Sequence, residues 1–201
     1  MKSTLFLTAF SVVLMTLGSC KKETEKPGNV DTNATWYMHF KLNGIETEFN
    51  SLPIVQSAFN SDKNLYVSGF LAYKDSSKTN QDLVNIAIIN KDALSQDAVY
   101  KDPVKSFSDG QAVPQVILTY YNSKKESFTS MGVFSDEDGN FSSVLPDYQN
   151  LVADAKVTVI KIGTNFIKGT FSGTVFKLNS GTNTYDKISL TEGAFNLHYL
   201  H

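Results

Sequence analysis

Along most of the chain, apolar and polar residues alternate with a period of two, the pattern of β-strands that bury one face. The clearest example is WYMHFKLNGIETEF, residues 36–49. The Asn-Gly pair at 43–44 is typical of the two-residue type I′ turn of a β-hairpin. That turn places apolar residues on one side of the hairpin and polar ones on the other, in the facing pairs Met38/Phe49, Phe40/Thr47, Leu42/Ile45, His39/Glu48 and Lys41/Glu46.

Segments rich in Val, Ile, Thr, Phe and Tyr continue through the rest of the chain, separated by polar turn-forming clusters. We predict strands over Leu65–Tyr73, Leu83–Ile89, Val116–Tyr121, Ser127–Phe134, Ala155–Ile162, Ile167–Leu178, Lys187–Leu190 and Ala194–Tyr199. Outside the N-terminal run no stretch has a sustained helical period. The sequence therefore predicts an all-β fold, an antiparallel β-sandwich or partly closed barrel of about eight to eleven strands.

The N-terminus has a different pattern. Lys2 precedes a nearly continuous apolar run over 5–17, which is shorter than the roughly 20 residues that a membrane-spanning helix needs. Gly18 and Ser19 follow, and small residues are typical of the processing site of a signal peptide. The only cysteine of the chain, Cys20, comes next. The pattern indicates a secretory signal peptide that ends just before this cysteine.

The sequence Leu17-Gly18-Ser19-Cys20 resembles the lipobox of bacterial lipoproteins. The resemblance implies cleavage between Ser19 and Cys20 and a diacylglycerol on the Cys20 sulfur, which attaches the protein to a membrane. Each buried lipid methylene contributes about 0.8 kcal/mol, so two or three acyl chains hold a protein durably. The alternative is an ordinary signal peptide followed by an incidental cysteine. A lipidated Cys20 leaves no thiol for catalysis or for a disulfide.

The segment after the cysteine, KKETEKPGNVDTN at 21–33, is polar and charged, as flexible tethers are. We therefore divide the chain into a signal peptide (1–19), a lipid-anchored tether (20–33) and one β domain (34–201). The whole chain carries 18 Lys and Arg against 20 Asp and Glu. This balance gives neither the basic surface of a nucleic-acid-binding protein nor a polybasic membrane patch, so no nucleic-acid partner is expected.

The last third of the chain carries a second resemblance. Gly169-Thr170-Phe171 and Gly193-Ala194-Phe195 repeat a G-x-F pattern around a polar turn. With the opening LNGIETEFNSLP, this pattern is similar to that of a family of uncharacterised Gram-negative envelope lipoproteins. Together with the lipobox, the resemblance implies a β domain anchored in the outer membrane, facing either the periplasm or the cell surface. The family has no established activity, so the resemblance adds no catalytic residue.

Candidate metal ligands are few. His39 is expected to pair with Glu48 on a polar face, His198 lies on the polar side of its strand, and His201 ends the chain. None of them has the spacing of a zinc site. The acidic stretch after Phe134 offers weak calcium ligands, but a plain hairpin turn explains it better; these ligands are Asp136, Asp138 and Asn140. We expect no metal and no other cofactor.

The aromatic residues are more suggestive of a ligand surface. In a regular strand, one residue of Trp36/Tyr37 and one of Tyr120/Tyr121 must point away from the core. Exposed aromatic rings can stack on sugars or anchor a protein partner; the alternative is that all four are ordinary core residues. The leading hypothesis is a non-catalytic binding module for a glycan or for an envelope or host protein. The alternatives are a structural subunit of an outer-membrane surface complex and a carboxylate-dependent hydrolase.

Overall fold

The structure, a computed structural model, describes residues 35–75, 82–101, 104–105, 112–113, 115–130, 134–135, 141–142, 154–179, 181–182 and 184–200. All of them belong to one unit, Ala34–His201. Every regular element of this part of the chain is a β-strand, which confirms the predicted all-β fold. The described residues contain no helix of the length and hydropathy that a membrane span requires.

The strands, in chain order, are β1 (Tyr37–Leu42), β2 (Ile45–Phe49), β3 (Ser51–Asn60), β4 (Leu65–Tyr73), β5 (Leu83–Asn90), β6 (Ala98–Lys101), β7 (Val104–Lys105), β8 (Ala112–Val113), β9 (Val116–Tyr121), β10 (Ser127–Thr129), β11 (Phe134–Ser135), β12 (Phe141–Ser142), β13 (Lys156–Ile162), β14 (Phe166–Asn179) and β15 (Thr184–Leu200). Eleven of them form one large sheet. The other four form two separate pairs, β7 with β8 and β11 with β12.

The large sheet consists of two antiparallel parts. The first, here called the six-stranded sheet, has the order β2-β1-β15-β14-β13-β6, and the second, here called the meander, has the order β3-β4-β5-β9-β10. The long strands join the two parts at both ends. Residues 198–200 of β15 pair with β3, in the one parallel pairing among the described residues of the large sheet. Phe176 of β14 pairs with Thr129 of β10. The sheet therefore closes part of a ring.

The inner faces of the six-stranded sheet and the meander share one hydrophobic core. Phe195 of β15 packs edge-on against Phe70 of β4, with ring centroids 5.3 Å apart. The two parts are in contact at Gly173, where an added Cβ would lie 2.6 Å from the side chain of Leu118 and 2.9 Å from the Cα of Ala155. A residue with a side chain at 173 would therefore be overpacked.

The β14–β15 hairpin contains both G-x-F motifs, and they face each other in reciprocal order. Gly169 pairs with Phe195, and Phe171 pairs with Gly193. An added Cβ at Gly169 would lie 2.5 Å from the Phe195 ring, and one at Gly193 would lie 2.6 Å from the Phe171 ring. Each phenylalanine thus fills the space that the opposite glycine leaves empty, an arrangement known to support glycine within sheets.

The β1–β2 hairpin has the predicted register in all five facing pairs. Asn43 and Gly44 both have positive φ, 49° and 82°, as a type I′ turn requires. Met38 and Phe49 are fully buried, as expected for the apolar side. At the hairpin tip, however, Ile45 is 72% exposed, because the turn extends beyond the core.

Several strand predictions differ from the structure. β3 was not predicted; it contains Pro53 and lacks a clean alternation. The short strands β6, β7, β8 and β12 were not predicted either. The two strands predicted within 187–199 are parts of a single strand, β15, which passes through a bulge next to Glu192. The single strand predicted over 127–134 is described as β10 and the first residue of β11.

Candidate functional site

Several of the residues that the sequence singles out lie outside the described residues. They are the cleavage and lipidation residues Ser19 and Cys20 and the weak calcium candidates Asp136, Asp138 and Asn140. The strands on either side of the acidic stretch, β11 and β12, pair antiparallel. The anchor at Cys20 therefore remains a prediction from the sequence.

The side of the six-stranded sheet that points away from the core, here called the outer face, is polar. Because side chains alternate along each strand, the pairing register shows which residues share this face. One row crosses all six strands from β2 to β6 and consists of Glu48, His39, Ala194, Thr170, Thr158 and Val99. The middle of the row holds small side chains, since Thr170 and Ala194 are the central residues of the two G-x-F motifs.

A shallow groove of about 320 Å³ crosses this outer face over β13, β14 and β15. Its floor consists of small side chains, and its charged walls come from β13 and from the bulge of β15. The floor residues are Thr158, Thr170, Ser172 and Ala194, and the charged residues are Lys156 and Glu192. The groove exposes hydroxyl groups that can donate or accept hydrogen bonds, so it suits a polar ligand.

Aromatic rings lie beside the groove. Tyr37 and His39, two residues apart on β1, stack with ring centroids 5.0 Å apart and planes only 6° apart. His39 is the direct neighbour of Ala194 on the groove floor. Just before β1, Trp36 contacts the ring of His198, with centroids 5.3 Å apart. These four residues, here called the aromatic group, give the outer face apolar ring surface next to hydrogen-bonding groups.

Two of the four predicted ligand-contact aromatics, Trp36 and Tyr37, therefore belong to this group. The sequence also placed His39 and His198 on outward-facing positions, but it did not reveal their ring partners. The contact of Trp36 with His198 depends on the pairing of β1 with β15, which lie at opposite ends of the domain sequence, so no local pattern could have indicated it. The stacking of Tyr37 on His39 joins two residues on the same side of β1, a spacing that strand alternation already provides.

The other two candidates, Tyr120 and Tyr121, divide between core and surface, as adjacent residues in a strand must. Tyr120 is only 4% exposed, and its hydroxyl donates a hydrogen bond to Asp82 at 3.0 Å. Burial, reinforced by the Asp82 charge, raises the pKa of Tyr120 well above its usual value. Tyr120 is thus a core residue, whereas Tyr121 is 36% exposed on the meander.

The carboxylate at the wall of the groove is engaged by a cation. Lys41 Nζ donates to both carboxylate oxygens of Glu192, each at 2.7 Å. This hydrogen bonding raises the pKa of Lys41 above its ordinary value of 10.5. Glu192 has a φ of 51°, a left-handed conformation that is uncommon for a non-glycine residue and that occurs here at the β15 bulge.

A second charged cluster lies at the junction of the meander and β14. Glu126 accepts hydrogen bonds from Lys177 and Asn122, and these bonds lower the pKa of Glu126 below its ordinary value of 4.5. The contact connects the turn between β9 and β10 to β14. We assign it to stabilising that junction.

The described residues contain no group of three or more His, Cys, Asp or Glu side chains placed to hold a metal ion. Comparisons with protein-family models, curated proteins and solved structures find no match for this chain. The function is therefore inferred from the chemistry of the outer face and from the N-terminal sequence.

Proposed function

We propose that this protein is a lipid-anchored lipoprotein of the bacterial cell envelope that binds a glycan without catalysis. The observation that carries the proposal is the aromatic group beside an open groove floored by hydroxyl-bearing side chains. Sugar rings have flat apolar faces that stack on aromatic rings, and their hydroxyls need hydrogen-bonding partners. An open groove accommodates an extended chain of sugars better than a small enclosed molecule.

The anchor is the second part of the proposal. The N-terminal run, the lipobox and the polar tether support export and attachment to the outer membrane, with the β domain on the periplasmic or the cell-surface side. In the full-length protein expressed in a Gram-negative host, Cys20→Ser should leave the domain folded but move it from the membrane fraction to the soluble one. A Cys20→Ser protein that still sediments with membranes would contradict the anchor.

Binding at the outer face can be tested with an aromatic substitution and a matched control. Tyr37→Ala removes a ring of the aromatic group, whereas Tyr121→Ala removes an exposed tyrosine from the meander. Because ligand binding stabilises the folded state by mass action, we would measure the melting temperature of each variant against a panel of oligosaccharides. We expect a glycan that stabilises the native protein and Tyr121→Ala but binds Tyr37→Ala at least tenfold more weakly.

Two results would contradict this proposal. The first is that no oligosaccharide or polysaccharide of the panel stabilises the native protein. The second is an equal loss of binding in Tyr37→Ala and Tyr121→Ala, which would place the ligand elsewhere. Melting temperatures measured without ligand show whether each variant is folded and so separate a loss of binding from a loss of structure.

A further inference from the structure

Four lysines lie on the outer face, in two pairs, on neighbouring strands β6, β13 and β14. The pairing register sets them directly opposite one another in two pairs, Lys101 with Lys156 and Lys161 with Lys168. All four side chains are exposed. We call Lys101/Lys156 and Lys161/Lys168 the lysine pairs.

Like charges directly opposite each other destabilise a sheet, so the lysine pairs have an energetic cost. No carboxylate among the described residues lies within ion-pair distance of any of the four ammonium groups. The two carboxylates nearest to them in the sheet register are engaged elsewhere, Glu192 by Lys41 and Asp154 by the backbone and hydroxyl of Thr174. The chain as a whole is slightly acidic, with a formal charge of −2, so this local positive surface does not reflect its general composition.

The second lysine pair is gathered around an aromatic ring. Lys161 Nζ lies 5.8 Å and Lys168 Nζ 5.5 Å from the centroid of the Phe166 ring. Both distances allow cation–π attraction. Phe166 therefore holds two positive charges on one patch of the outer face, in spite of their mutual repulsion.

The lysine pairs lie on either side of the row that contains Thr158 and Thr170. Lys156 and Lys161 both lie on the outer face because a bulge in β13 shifts the register between Val159 and Lys161. On the facing strand, Ser172, the partner of Lys156, is four positions from Lys168, which corresponds to roughly 13 Å along a strand. Thr158 lies between Lys156 and Lys161 and pairs with Thr170 across the groove floor. The face thus presents two separate positive sites with hydrogen-bonding groups between them. One small anion could not reach both sites, whereas a chain with repeated negative charges could.

We propose that the ligand of this face is an acidic polysaccharide with repeated carboxylates. Successive carboxylates would bind the two lysine pairs, and the sugar hydroxyls between them would bind Thr158 and Thr170. This inference rests on the proposed glycan binding and adds the chemical class of the ligand. A polysaccharide fits better than an anionic lipid surface, because a flat surface would not use the hydroxyl groups of a groove.

The test compares charge-matched variants of the mature chain. Lys161→Gln/Lys168→Gln and Lys101→Gln/Lys156→Gln each remove one lysine pair. Lys63→Gln/Lys91→Gln removes the same charge from two exposed lysines outside this face. The probes are the acidic polysaccharides polygalacturonate, alginate and hyaluronate, the neutral polysaccharides galactan and dextran, and vesicles of phosphatidylglycerol. Isothermal titration at two salt concentrations gives the affinities.

We expect at least one acidic polysaccharide to bind the native protein, more weakly at the higher salt concentration. Each lysine-pair variant should bind it at least tenfold more weakly, and Lys63→Gln/Lys91→Gln should bind it like the native protein. Because each variant removes both charges of one lysine pair, and with them the repulsion between those charges, the lysine-pair variants should melt no lower than the native protein. This last measurement shows that any loss of binding is not a loss of folding.

The results that overturn the inference are distinct from those that overturn the proposed function. Binding of a neutral polysaccharide that is lost in Tyr37→Ala but kept in both lysine-pair variants leaves glycan binding standing and refutes an acidic ligand. An equal loss in the Lys63→Gln/Lys91→Gln control, or vesicle binding as tight as polysaccharide binding, also refutes it. If no polysaccharide of either kind binds, both the inference and the proposed function are wrong.

Discussion

The six-stranded sheet and the meander share a core but differ on the sides that point away from it. The outer face of the six-stranded sheet is crossed by polar and small residues, whereas the corresponding side of the meander is largely aliphatic. Its half-buried residues there include Ile54, Val67, Leu71, Leu83 and Ile89. Strands that are apolar on both sides are typical of sheets with both faces covered. The contrast indicates that the outer face of the six-stranded sheet is the surface suited to contact with water or a polar ligand.

The two parts of the sheet also use glycine differently, and this difference gives the largest predicted effect. Gly193→Ala should destabilise the protein by about 1–3 kcal/mol, because overpacking a filled core is costly. Its Cβ would lie 2.5 Å from the Phe171 carbonyl oxygen. Gly69→Ala in β4 meets nothing within 4 Å and should be neutral or stabilising by up to about 1 kcal/mol. Urea denaturation of both variants gives the comparison.

An equal effect of the two substitutions would contradict the role of the reciprocal G-x-F arrangement. In particular, a neutral Gly193→Ala would mean that both the carbonyl and the ring of Phe171 move aside without cost. A double variant, Gly193→Ala with Phe171→Leu, sharpens the test. If the ring is the obstacle, the second change should recover part of the stability that the first one loses.

A smaller effect is expected when an aliphatic residue on the outward side of the meander and a polar residue on the outer face of the six-stranded sheet are each replaced by the other type. Leu71→Thr should destabilise the protein by about 1 kcal/mol, because part of the leucine side chain is buried on the meander. Thr170→Leu on the exposed floor of the groove should change stability by no more than about 0.5 kcal/mol. Thermal or urea denaturation measures both. If Thr170→Leu proved the more destabilising of the two, the two sides would not differ as proposed.

The sequence predicted the hairpin whose polarity alternates and the strands rich in Val, Ile, Thr, Phe and Tyr between turn-forming clusters. The β1–β2 hairpin was predicted to the residue pair, because an Asn-Gly turn sets the register and both faces agree with it. The strands at 65–73 and 116–121 were predicted with their exact bounds. β3 was missed because Pro53 near its start is typical of a loop. In the structure the strand is irregular there, and Leu52 has a φ of 48°. β15 was divided in two because Glu192-Gly193 resembles a turn, whereas in the structure it forms a bulge.

The candidate site was less accessible from the sequence. Exposure of Trp36 or Tyr37 could be expected from strand alternation alone. The groove and the lysine pairs could not, because they join β6, β13, β14 and β15 through registers that no local pattern gives. Lys101 in particular lies on the short strand β6, which was not predicted. Contacts between distant segments were therefore the part of the site that required the structure.

The reciprocal G-x-F arrangement also has a consequence for how the longest hairpin selects its alignment. A shift of one residue would turn the core side chains of a strand outward, but a shift of two would keep every residue on its proper side. If the pairing of β14 with β15 shifted by two residues in one direction, Gly169 would face Gly193 and leave a hole. If it shifted by two in the other direction, Phe171 would face Phe195 and overfill the same space. The motifs thus distinguish the native alignment from the two nearest alternatives that hydrophobic patterning alone would accept.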